Sequence, residues 1–264
     1  MIKQLNGESR VFFIVGDPIA QVKSPYAVTV ELQKRGVNGV CVPAHIAPVD
    51  LGDAMRTFNR MQNVHGIIAT VPHKFSAFDH CKSGTERANF LQASNVIRRG
   101  GDGSWHGDMV DGLAMAAAIE RKGHTLRDRK ALLVGAGGAG TAIGHALLSA
   151  GVASLVVHDT DSERRDRLIA KLASLNLGTV GVGSVDPSAN DIVVNATPLG
   201  MREGDPYPFD VGRIQSGTIV GDVITVPAVS PLIAAARGIG CPTVTGLDMF
   251  AEVSGLMIDF LLET

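Results

Sequence analysis

Three observations predict an α/β fold in two domains. Short β-branched runs alternate with helical stretches along nearly the whole chain, which argues for mostly parallel sheets. The run from Lys130 to Asp159 reads strand, glycine turn, helix, strand, acid. Glycine is abundant, 31 of 264 residues, as many short strand-to-helix turns require. The second observation marks a Rossmann-type dinucleotide-binding domain over about 113–245. The alternation ahead of it marks a separate N-terminal α/β domain over 1–112.

The elements follow in order. Val11 to Val15 is a strand, closed by Gly16-Asp17-Pro18. Ser24-Pro25 reads as an N-cap with Pro at N1, opening a helix to about Arg35. Gly39 to His45 is a second strand, and a helix runs from about Asp50 to Met61. Gly66 to Val71 is a third strand, ending at Pro72; helical stretches begin near His73 and at Thr85. Ser94–Arg98 and Ser104–Gly107 make a hairpin around Gly100–Gly103, and a long helix starts near Asp111 and runs through Gly123. Ala131 to Val134 is then a buried strand. Gly135, Gly137 and Gly140 follow in G-x-G-x-x-G spacing, with a helix from Thr141 that Gly151 ends. Val152–Val157 is the next strand, leading to Asp159. Further strands are expected at 179–183, 191–195, 218–223 and 242–245, with helices at 162–175, 230–237 and 248–262.

The glycine turn has a physical reading. Gly135 permits the tight turn, Gly137 has no Cβ to keep a pyrophosphate off the backbone, and Gly140 lets helix and sheet approach. Ala136, Gly138 and Ala139 complete a turn whose N–H groups open a helix, where anions bind. Asp159 stands where a carboxylate accepts hydrogen bonds from ribose hydroxyls.

Composition narrows the function. Apolar residues make up 45% and charged residues 19%, which is the balance of a core-forming chain. A net charge of −2 gives no electrostatic case for nucleic acid or an anionic membrane. Cys41, Cys81 and Cys241 match no metal or redox spacing, so no metal is expected, and a reducing compartment is. With no signal-like N-terminus and no bilayer-length apolar run, a soluble cytoplasmic protein is expected. Monomer and homodimer are both compatible with the sequence.

Ligands of open α/β sheets bind beyond the carboxyl ends of strands. The loops there carry Ser24, Thr70, Lys74, Asn95 and Asp111, which would line one cleft if the loops converge. Hydride transfer at an alcohol carbon needs a group to exchange the hydroxyl proton, and a lysine held by an aspartate can do so. Alone, Lys74 reads sooner as a solvated loop lysine and Asp111 as a helix N-cap.

These same residues resemble the shikimate/quinate dehydrogenase family. Gly16 to Pro25 matches its G-x-P-I-x-x-x-x-S-P loop, Val71–Lys74 its V-P-H-K segment, and Asp111-Gly112 its D-G pair. Asn195–Met201 matches N-A-T-P-L-G-M in full, and the likeness runs on through Gly246-Leu247 into the last helix. The resemblance implies a catalytic Lys74–Asp111 pair. It also implies an N-terminal substrate domain to which 246–264 returns, with Ser24 on a substrate carboxylate and Thr70 and Asn95 on ring hydroxyls. For the cofactor it implies the 135–140 turn, a nicotinamide site walled by Asn195, Ala196, Thr197 and Met201, and contributions from Val223 and Gly246. The implied reaction is NAD(P)-dependent exchange of a ring hydroxyl and a ketone on a cyclic hydroxy acid.

Several departures matter. Val22 stands where the family has a second serine, Ile68 where it has asparagine, Thr225 where it has tyrosine, and Val253 where it has glutamine. Losing hydroxyl-binding groups should weaken selection for a densely hydroxylated ring. NADP-using members carry Asn-Arg-Thr where this chain has His158-Asp159-Thr160; a carboxylate there repels a 2′-phosphate, so NAD is expected. Arg164 and Arg165 keep NADP open. The rival to an enzyme is a catalytically weak family scaffold that senses a ring acid; folate-linked methylene dehydrogenases lack the pairing of P-H-K with N-A-T-P-L-G-M.

Overall fold

The computed structural model describes residues 5–20, 22 and 24–263, with Ser24 described only in its backbone. The chain divides into two compact units. One comprises the chain up to Val110 together with the chain from Ser254; the other is Asp111–Val253.

The first unit holds β1 (Arg10–Gly16), α1 (Ser24–Lys34), β2 (Gly39–His45), α2 (Leu51–Arg60), β3 (Val64–Ala69) and α3 (Lys74–Phe78). Then come β4 (Ser83–Gly84), α4 (Glu86–Leu91), β5 (Val96–Arg99) and β6 (Trp105–Asp108). Its sheet runs β2-β1-β3-β5-β6-β4. β1, β2 and β3 are parallel, whereas β5 pairs antiparallel with both β3 and β6, so this sheet is mixed. Leu51, Met55 and Phe58 recur at helical spacing on α2 and bury one face against Val15, Ile67 and Ile97. Phe58 stacks on Phe13 with ring centroids 4.4 Å apart.

β3 lies two residues earlier than expected, because Gly66 belongs inside the strand and does not start it. A Cβ there would fall 2.4 Å from Leu261, so only glycine lets the final helix approach this strand. Thr70 and Val71 are released into the turn before α3. The two-residue β4 is too short to leave a periodic signal.

The second unit holds α5 (Asp111–Arg121), β7 (Lys130–Val134), α6 (Gly138–Ser149), β8 (Ser154–His158), α7 (Ser162–Ala173) and β9 (Thr179–Val182). It continues with β10 (Ile192–Asn195), β11 (Ile219–Asp222), α8 (Pro231–Ile239), β12 (Thr243–Val244) and α9 (Gly246–Leu262), which ends in the first unit. All its strand pairs are parallel, in the order β12-β11-β10-β7-β8-β9. That is the doubly wound order, with its switch point between β7 and β10. Leu132, Val193 and Val220 of adjacent strands form its core with Leu232, Ile233 and Ala236 of α8. α5 stops at Arg121, earlier than its expected run, because Gly123 takes φ +86°, a left-handed stop. No helix among the described residues is long and apolar enough to cross a membrane, and none of their His, Cys, Asp and Glu side chains cluster as a metal site.

Candidate active site

The first unit assembles its site residues through backbone hydrogen bonds. The Thr70 N–H donates to Val15 O at 3.0 Å, fixing the chain as it leaves β3. His73 is buried, its Nε2 2.8 Å from Ile46 O, so it ties the start of α3 to the end of β2. Lys74 is the first residue of α3, and its carbonyl accepts from Ser94 N–H at 2.8 Å. Asn95 is wholly buried; its N–H donates to Asp108 O, its carbonyl accepts from Ala69, and its Oδ1 accepts from Val110 N–H at 2.9 Å. That last bond sets which end of the Asn95 amide is the donor. Thr70, Lys74 and Asn95 are thus each fixed by a bond to a neighbouring segment, Thr70 and Lys74 just past the end of β3 and Asn95 just before β5. The Ser24 side chain lies outside the described residues. Val22 is half-buried, while Ile68 is 1% exposed and packs in the core.

Two features here escaped sequence reasoning. Asp108, fully buried, accepts from Thr85 Oγ1 at 2.5 Å and Met109 N–H at 2.7 Å and pairs with Arg87. His45 Nε2 lies 2.7 Å from Asp17 Oδ1. Neither pair has a local sequence signature, since the partners lie 21 and 28 residues apart.

In the second unit Asp111 opens α5 and is 8% exposed. Gly112 explains the D-G pair: a Cβ there would fall 2.0 Å from Ala142 O, so α5 and α6 cross backbone to backbone. We expect Gly112→Ala to cost about 2 kcal/mol or more by overpacking. Chemical denaturation checks this, and an unshifted midpoint would contradict it.

The glycine turn sits at the switch point. Gly135 takes φ +105°, and a Cβ on it would meet Ala196 and Thr197 at 2.9 Å. A Cβ on Gly140 would stand 1.9 Å from Gly135 O, whereas one on Gly137 would meet nothing within 4 Å. That open side is where a ligand phosphate fits, beside the start of α6 at Gly138. The helix thus begins inside the glycine run, taking in Ala139, because close packing at Gly140 outweighs poor helix propensity. Asp159 Oδ2 accepts from Ala136 N–H at 2.7 Å, and Oδ1 accepts from Asp161 N–H and Arg164, at 2.9 and 2.8 Å. Burial pushes this carboxyl up, but Arg164 and the Ala136 and Asp161 N–H groups together hold it below its ordinary value.

The loop after β10 is equally constrained. Asn195 Oδ1 accepts from Thr197 N–H and Oγ1, and its Nδ2 donates to Leu199 O and Asp222 Oδ1. Asp205 Oδ2 holds the N–H groups of Gly200 and Arg202, leaving Met201 between them 55% exposed. After β11, Val223 is half-buried and Thr225 exposed. A Cβ on Gly246 would meet Ile224 O at 2.3 Å and Val223 O at 2.6 Å, so Gly246 lets α9 start hard against this loop. Val253, 8% exposed, is packed within α9.

A doubly wound sheet with a glycine turn at its switch point, in a chain that also carries a separate α/β unit, is the build of a two-domain, dinucleotide-dependent dehydrogenase. The family model for the shikimate dehydrogenase substrate binding domain matches residues 14–97. A shikimate dehydrogenase (NADP(+)) of Rhodospirillum rubrum is 31% identical over 252 residues, covering 93% of this chain and 89% of that one. The chain belongs to the shikimate/quinate dehydrogenase family of oxidoreductases. Quinate dehydrogenase from Corynebacterium glutamicum, solved in complex with NAD, is 26% identical at TM-score 0.88, covering 96% of this chain and 94% of that one. A 5-ketofructose reductase of Gluconobacter shares the fold at TM-score 0.90 with 23% identity, covering 97% of this chain and 94% of that one. One scaffold thus serves differently named reductases, and the substrate must be argued from the site.

Proposed function

We propose that this chain interconverts a ring hydroxyl and a ketone on a shikimate- or quinate-like cyclic hydroxy acid, with NAD preferred over NADP. The observation that carries this is the placement of Thr70, Lys74 and Asn95 where β3 ends and β5 begins, each held by hydrogen bonds to neighbouring segments, in a chain of this family. The substrate domain comprises 1–112, with 246–264 returning to it. Lys74 and Asp111 carry the acid–base exchange of the reacting hydroxyl's proton. Thr70 and Asn95 bind further ring hydroxyls, and Ser24 the carboxylate. A nicotinamide dinucleotide, held by 135–140, Asp159 and the 195–201 loop with Val223 and Gly246, supplies the hydride acceptor or donor when bound. The open side of Gly137 and the acid at the end of β8 fit such a ligand.

The cofactor preference rests on charge. The arginines of the first turns of α7 each have a carboxylate partner: Arg164 on Asp159, Arg165 on Asp166 and Arg167 on Glu163. The Asp159 side chain is 7% exposed, so its pair with Arg164 is the least screened of the three. A 2′-phosphate arriving there meets a carboxylate first and finds the nearest guanidinium occupied.

The substrate differs from a densely hydroxylated ring. Val22, Ile68 and Val253 replace a serine, an asparagine and a glutamine with side chains that form no hydrogen bonds, Thr225 is shorter than the tyrosine it replaces, and an unpaired ring hydroxyl costs binding. We expect kcat/KM for shikimate to be about 10²-fold below that for a less hydroxylated or bulkier ring acid. Steady-state kinetics on shikimate, quinate and simpler hydroxycyclohexane and hydroxycyclohexene carboxylates tests this. Efficient shikimate turnover at micromolar substrate would overturn it.

A further inference from the structure

Asp222 has no place in the chemistry above, yet it is a wholly buried carboxylate at the C-terminal end of β11. No cation among the described residues pairs with it. Such a group is costly unless its oxygens are fully satisfied. Here they are. Oδ1 accepts from Asn195 Nδ2 at 3.0 Å and from Ile224 N–H at 3.1 Å, and Oδ2 accepts from Ser230 Oγ. Burial pushes the carboxyl above its ordinary range, partly offset by the donors from Ser230, Ile224, Asn195 and Val223.

What matters is where those donors lead. Asn195 is the hub of the loop after β10: its Oδ1 fixes Thr197, and its Nδ2 is shared between Leu199 O, at 3.2 Å, and Asp222. Ile224 belongs to the loop after β11, which Gly246 presses from its other side. Ser230 caps α8, accepting from Ile233 N–H at 3.3 Å. One carboxylate therefore locks two adjacent strand-end loops and a helix N-terminus into one frame. Without it, Nδ2 of Asn195 keeps only Leu199 O of its two acceptors, and the amide that shapes 195–199 is held less firmly.

We infer that Asp222 is a positioning residue for the nicotinamide end of the cofactor, acting through Asn195 and Ile224. This rests on the proposal that 195–201 walls the nicotinamide. The adenosine end is held elsewhere, by the glycine turn and Asp159, whose hydrogen bonds do not involve Asp222. The role therefore has a signature that general destabilisation lacks: loss confined to one end of the ligand.

The test is calorimetric binding of NAD and of ADP-ribose, which lacks nicotinamide, to the wild-type chain and variants. NADP and 2′-phospho-ADP-ribose run in parallel, so cofactor choice does not affect the result. Asp222→Ala should raise Kd for the complete cofactor about tenfold, the equivalent of one charge-assisted hydrogen bond, and leave ADP-ribose within about twofold. Asp222→Asn keeps an oxygen for Asn195 and Ile224 and should restore most of the affinity. Ser230→Ala, which removes the Oδ2 partner together with the α8 cap but leaves Oδ1 to Asn195 and Ile224, should give a smaller loss with the same selectivity, and it reads the same frame if Asp222→Ala does not fold. Equal loss for both ligands, or no loss in the folded variants, overturns the inference while leaving the proposed function intact. A wild-type chain that binds neither complete cofactor overturns the proposed function and this inference with it.

Discussion

Lys74→Ala will lower kcat about 10³-fold while leaving the Kd of the dinucleotide within about twofold. The reason lies in how Lys74 is held. Its backbone carbonyl accepts from Ser94, and Asn95 is fastened in turn to Ala69, Asp108 and Val110, so these bonds do not use the lysine side chain and survive its loss. The variant should fold, bind cofactor and fail only at exchange of the hydroxyl proton. The glycine turn, Asp159 and Asn195 belong to the other unit, which gives the binding measurement its independence. Stopped-assay turnover together with calorimetry checks both halves. Turnover within tenfold of wild type removes Lys74 from its role; lost cofactor binding shows that the variant perturbs more than proton exchange.

The second large effect concerns the cofactor. Wild-type kcat/KM should favour NAD over NADP by about 10²-fold, since a phosphate set against a carboxylate costs several kcal/mol before screening. Asp159→Asn should shrink that ratio by about 10- to 100-fold. The amide oxygen can still accept from Ala136 N–H, so the glycine turn keeps its brace, while the lost charge frees Arg164 to meet a phosphate. Asp159→Ala would confound the result by leaving that N–H unpaired. Paired kinetics on one substrate give the answer, and a wild-type preference for NADP, as the name of the Rhodospirillum rubrum relative specifies for that protein, would end the argument.

Much of this chain is locally encoded. The second strand, Gly39–His45, was readable to the residue because Gly39 opens it and Val40 and Val42 alternate within it. The turn from Gly135 to Gly140 was readable because each glycine answers a separate steric demand, and the switch-point position follows from the parallel order. Boundaries moved where packing overrode local preference. Gly66 looks like a strand breaker until Leu261, 195 positions later, occupies the space its Cβ would need. Gly138 looks like loop until the close approach at Gly140 draws it into α6.

The site divides along the same line. Lys74, Asn95, Asp111 and Asn195 were legible as candidates through the likeness of their segments to one family. Asp159 announced itself by its place after a strand, but its grip on Ala136 and Arg164 did not, since strand ends meet only in the folded sheet. Asp108 with Arg87, His45 with Asp17, and Asp222 with Asn195 and Ser230 left no trace in the sequence. Isolated Asp, Arg and Ser residues are ordinary surface residues until burial is known, and burial is a property of strand neighbours distant along the chain. Spacing and residue type thus carried the fold class, the family and the candidates for the reacting groups. Folding alone brought the buried carboxylates to their partners, because a hydrogen bond is decided by ångströms that sequence separation does not measure.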